Sequence, residues 1–230
     1  MPPTPRFLPR WFNVWFWVSC AIFFVGGVIN RLSGKATEGF DPGGAAIGVS
    51  AMYLFALLVW RKKGNVQTLV SRLPLPLMAR SVLIGWFFAE VDELVNFPFN
   101  PLFPHATLVQ DIVLTTPVYV LAHLGWFVIL RNYHFTPAQS LMTGGLALGL
   151  FESFSGGFNA LAIAGILIAF PFVVMIHGSH LVMPKLALTD DFARTATRET
   201  KWKYPLGVLF PSIGTSIGVG IAYLIAPLLA

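Results

Sequence analysis

Charge is what this chain has least of. Only 11% of its 230 residues are Asp, Glu, Lys or Arg, where an ordinary soluble domain carries about 25%. With 56% hydrophobic residues and a mean hydropathy of +0.72, a water-soluble fold of this length could not cover its surface. Cysteine is nearly absent as well: the lone Cys20 excludes an intrachain disulfide and any zinc site built on paired thiolates. No His-Glu-x-x-His occurs, so the usual helical metalloprotease site is missing too. Alternating apolar and polar residues, the mark of barrel strands, are not sustained anywhere.

What the chain does have is long apolar runs. They fall at about 11–30, 43–60, 78–97, 107–130, 138–156, 159–183 and 206–229, separated by charged, Pro-rich or Gly-rich stretches. A span needs roughly 20 apolar residues, and in hydrocarbon a helix alone satisfies its own backbone. The expectation is therefore all-α: one integral membrane domain over 1–230, a polytopic bundle of seven transmembrane helices. The first run follows Arg6 and Arg10 as a signal peptide would, but it is longer than an h-region of about 7 to 15 residues. It reads as a retained span.

Orientation follows from the basic residues. With seven spans, every Lys and Arg except Arg31 and Lys35 falls on the N-terminal side, thirteen of the 15. The positive-inside rule then places the N-terminus in the cytoplasm and the C-terminus outside, in a cell (inner) membrane. The same rule explains the net charge of +5 without a nucleic-acid partner; membrane lipids are the expected surroundings. Gly44 and Gly48, Gly145 and Gly149, and Gly214 and Gly218 repeat at four-residue spacing, which lets membrane helices approach closely.

Polar residues at membrane depth are the candidate site. The third run carries Glu90, Asp92, Glu93 and Asn96, and Glu90 lies about 15 Å along the helix from Arg80. Such acids need a wet cavity, a cation or a bonding partner. In the fourth run Asp111, Thr115, Tyr119 and His123 recur every four residues around Pro117, a stripe suited to a proton path or a substrate cleft. Glu152, and His105 in the Pro-rich segment between the third and fourth runs, belong to the same outer side. Crowded carboxyls share protons and so supply an acid beside a base, or they hold a divalent cation through oxygen. His177 and His180 sit one turn apart near the inner end of the sixth run, as weak metal-ligand candidates.

Seven-span families with diagnostic residues do not fit. Leu206 to Ala230 lacks the lysine a retinal Schiff base needs, and also the His-x-x-x-His of the progestin-receptor and ceramidase-like group. Glu90-Val-Asp92-Glu93 is not the adjacent Glu-Glu pair of the membrane CAAX-type proteases. The functional expectation is a membrane-embedded enzyme acting on a lipid or isoprenoid-like substrate. Glu90, Glu93, Asp111, Glu152 and His105 would be its catalytic group; Asp92, Asn96, Thr115, Tyr119 and His123 would line its binding site or proton path. The alternatives are a proton- or cation-coupled transporter or channel, and an accessory subunit bound to partner membrane chains.

Overall fold

The structure is a computed structural model that describes residues 7–33, 41–98, 106–155 and 160–229, with backbone alone for 150–155 and 160–169. All its elements are helical; the one β-like contact among the described residues is an isolated bridge between Tyr133 and Arg198. Seven helices are long: α1 (Arg10–Leu32), α2 (Pro42–Arg61), α4 (Leu77–Asn96), α5 (Leu108–Asn132), α6 (Pro137–Ser155), α7 (Ala160–Leu181) and α10 (Lys203–Ile225). Each coincides with one apolar run to within a few residues. Three are short: α3 (Lys63–Ser71), α8 (Met183–Ala187) and α9 (Thr189–Thr195).

Helix starts are written locally. Pro42 opens α2 behind Asp41, whose carboxylate accepts from Gly43 N–H, a cap that satisfies an orphan donor. Thr107 and Gln110 form a reciprocal capping box at α5, and Thr136 and Gln139 make the same exchange at α6. The stretch between the second and third apolar runs holds a helix that no apolar run marks: α3 occupies Lys63–Ser71. Val66 and Val70, one turn apart, pack inward from it.

Four helices, α1, α2, α5 and α10 continued to Leu228, are long and apolar enough to cross a membrane. Helix α4 carries Arg80 and three acids, and the described part of α7 adds a shorter apolar helix, Phe170–Leu181. Large apolar side chains stand outward along α1 and α10, among them Trp11, Val14, Val18, Ile213, Ile217 and Leu224. Outward faces of this extent suit hydrocarbon and not water.

The long helices close into a ring in the order α1, α2, α4, α5, α10, α6, α7, with α7 also lying against α2 and α4. Glycine makes several of these seams. A Cβ at Gly214 or Gly218 would strike the α5 backbone at Leu121 or Val118, and one at Gly145 would strike Val174 of α7. These contacts give the small-residue pairs of α6 and α10 a packing role.

At one end of the ring the connections touch one another. Gln67 of α3 donates to Leu186 O, Arg80 of α4 pairs with Asp191 of α9 at 3.4 Å, and Lys203 Nζ donates to His134 O at 2.8 Å. Phe7 stacks on Trp60 at the same end, with ring centroids 5.6 Å apart. At the opposite end Gln110 Nε2 donates to Leu229 O at 2.7 Å, and Arg31 pairs with Asp41.

Candidate functional site

Helices α4 and α5 run antiparallel, so the acids of the last turns of α4 meet the first turns of α5. Helix α4 continues to Asn96, which keeps Glu90, Asp92 and Glu93 within helix. Glu93 is 5% exposed and Asp111 fully buried, and the two carboxyl groups are close electrostatic neighbours. The Tyr119 hydroxyl donates to Glu93 Oε2 at 2.6 Å.

Glu90 is half-buried beside this pair. Its Oε1 accepts from Trp86 Nε1 at 2.8 Å and from the Thr116 hydroxyl at 2.9 Å. Thr116 therefore supplies a contact that four-residue spacing does not reveal, since it lies one position off the Asp111–His123 stripe. Asp92 and Asn96 turn to another side of α4, where Asn96 Nδ2 donates to Asp92 Oδ1 at 3.0 Å. A Cβ at Gly48 of α2 would collide with Asn96, so Asn96 belongs to the α2–α4 seam, with Asp92 beside it and within electrostatic reach of Glu93.

The stripe itself faces inward. Asp111, Thr115, Tyr119 and His123 are all at most 6% exposed. Farther along α5, His123 Nε2 lies 3.1 Å from His180 Nδ1 of α7, a hydrogen bond in which one ring donates and the other accepts. The ring of His180 also meets that of Tyr119, with centroids 5.4 Å apart, and that of His177 at 5.9 Å. Room for His123 comes from Gly85 of α4, where any Cβ would fall on the imidazole.

His177 and His180 stand in the last turns of α7; His180 is fully buried and His177 6% exposed, because α7 packs against four other long helices and α8 covers its end. Among the described residues no group of three or more His, Cys, Asp or Glu is arranged to hold a metal ion. His105 and the side chain of Glu152 lie outside the described residues.

The polar groups thus form one buried line through α4, α5 and α7: Asp111, Glu93, Tyr119, His180, His123. The Glu93–Tyr119 and His180–His123 steps are direct hydrogen bonds; Asp111 lies beside Glu93, and Tyr119 meets His180 ring to ring. Comparison of the chain with family models, with curated proteins and with solved structures found no match.

Proposed function

We propose that this chain is a proton-coupled transporter of the cell membrane, with the buried line from the Glu93–Asp111 pair to the His180–His123 pair as its proton path. The observation that carries the reading is Tyr119, which is hydrogen-bonded to Glu93 and set against the ring of His180. Ionisable residues inside a membrane bundle, paired with one another, are the usual mark of a proton relay.

In this reading all seven long helices cross the bilayer, and the end that gathers α3, α8 and α9 is cytoplasmic. Two facts support it: thirteen of the 15 basic residues fall on that side, and three separate connections meet there in space. The acid pair then lies toward the outside and the histidines toward the inside. A proton arriving at the carboxyl pair passes to Tyr119 as the phenol gives its own proton onward. The Tyr119–His180 step is a ring contact, so a rotamer change or one intervening water closes it. That break is the natural place to couple proton movement to a transported solute.

The test is proton flux into vesicles containing the purified protein, read with an internal pH dye under an imposed gradient. Glu93→Gln and His180→Ala are each expected to lower the flux at least tenfold while the helical content is kept. Flux unchanged in both variants overturns the reading. Turnover of added lipid without any gradient would instead assign the carboxyl pair to a membrane-embedded enzyme.

A further inference from the structure

Away from the buried line, a charged pocket of about 320 Å³ opens where α3, the start of α4, α8 and α9 meet. Its polar lining has two halves. Arg80, Arg194 and the second amide N–H of Gln67 offer donors, while Asp190 and Asp191 offer carboxylates. Asp191 is engaged by both arginines. Asp190 is exposed and remains available at the rim. Arg80 Nε is buried and, among the described residues, has no hydrogen-bond partner, an uncommon state for a guanidinium donor.

We infer that this pocket binds a phosphate ester carrying a primary ammonium group, the headgroup chemistry of phosphatidylethanolamine. The guanidinium groups of Arg80 and Arg194 suit a phosphate, since Arg presents a fork of donors to phosphate oxygens. The Asp190 carboxylate accepts from the ammonium. A choline headgroup fits less well: it has no N–H to give Asp190, and none of the residues lining the pocket is aromatic, whereas quaternary ammonium is held by aromatic faces. A purely anionic headgroup meets repulsion from Asp190.

Lipid is the favoured source of this chemistry. Leu69, Leu73, Leu75 and Met78, which flank Ser71 and Arg80 in the chain, all stand exposed and give acyl chains an apolar surface to follow. The inference rests on the long helices crossing a membrane, and it is independent of proton transport.

The experiment is native mass spectrometry of the whole protein released from nanodiscs of equimolar phosphatidylethanolamine, phosphatidylcholine and phosphatidylglycerol. Wild type is expected to retain the ethanolamine lipid about fivefold over either other lipid, the order of a single net hydrogen bond. Asp190→Asn, which leaves the Arg80–Asp191 pair in place, should erase the preference for ethanolamine over glycerol headgroups. Arg194→Gln should weaken retention of all three. Soluble O-phosphoethanolamine is the second arm: displacement of the bound lipid shows that the headgroup carries the affinity, and binding without any lipid preference assigns the site to a soluble phosphoamine. Equal retention of the three lipids with no binding of O-phosphoethanolamine overturns the inference, as does a preference that Asp190→Asn leaves intact.

Discussion

Tyr119 of α5 donates its hydroxyl to Glu93 of α4 at 2.6 Å, and its ring faces His180 of α7. One side chain thus ties together three helices and the two chemically distinct halves of the buried line. Tyr119→Phe keeps the ring and removes only the hydroxyl. It should stop proton flux while costing about 1 to 3 kcal/mol of stability, the penalty for leaving a buried acceptor unpaired. Flux and thermal melting measured on the same preparation separate the two effects; flux at the wild-type level would remove Tyr119 from the path.

Gly85 holds the space that His123 fills. In Gly85→Ala the added methyl falls on the imidazole, so the ring must leave its position beside His180. The expected cost is about 1 to 3 kcal/mol from overpacking, with flux reduced as in His123→Ala. A double-mutant cycle checks the cause, because His123→Ala should recover much of the lost stability in the Gly85→Ala background.

The seam between α5 and α10 depends on two absent side chains. Gly214→Leu and Gly218→Leu each drive a side chain into the α5 backbone at Leu121 or Val118, and each should lower the melting temperature of the detergent-solubilised protein by several degrees. Gly220→Leu is the control, since nothing lies within 4 Å of a Cβ there. Equal effects at all three positions would argue against a specific seam.

Lys185 lies in α8, between the long helices, and is 6% exposed. Burial holds its ammonium below the usual lysine range, with Asp190 acting the other way. The unfolded chain therefore binds this proton more tightly than the folded one, and stability rises with pH between the lowered folded value and the ordinary one near 10.5. Lys185→Met should flatten that rise. Melting temperatures at several pH values from 7 upward, compared for the two proteins, check it.

The helices were legible in the sequence because long apolar runs bounded by charged, Pro-rich or Gly-rich stretches mark them, and a run such as 78–97 maps directly onto α4, Leu77–Asn96. The inward face of Asp111, Thr115, Tyr119 and His123 was legible for the same reason, as four-residue spacing fixes one side of a helix. The pairing of His123 with His180 was not. It depends on α7 lying inside the ring, which is a fact of tertiary packing across 57 positions of chain. Helix α3 was missed because nine residues bearing one lysine and two valines a turn apart look like any connector. Thr116 was missed because its partner Glu90 lies on a different helix.

The glycine seam gives the bundle an uneven stiffness. Helices pressed backbone to backbone cannot slide or rotate past one another without a clash, so α5 and α10 travel as a single strut. Helix α7 instead meets the acid-bearing helices through side chains that can change rotamer. Any alternation that makes and breaks the Tyr119–His180 step would then move α7 together with α6, against which Gly145 and Gly178 press it, relative to α5. Crosslinks that freeze α5 to α10 should leave transport running, and crosslinks that freeze α5 to α7 should halt it.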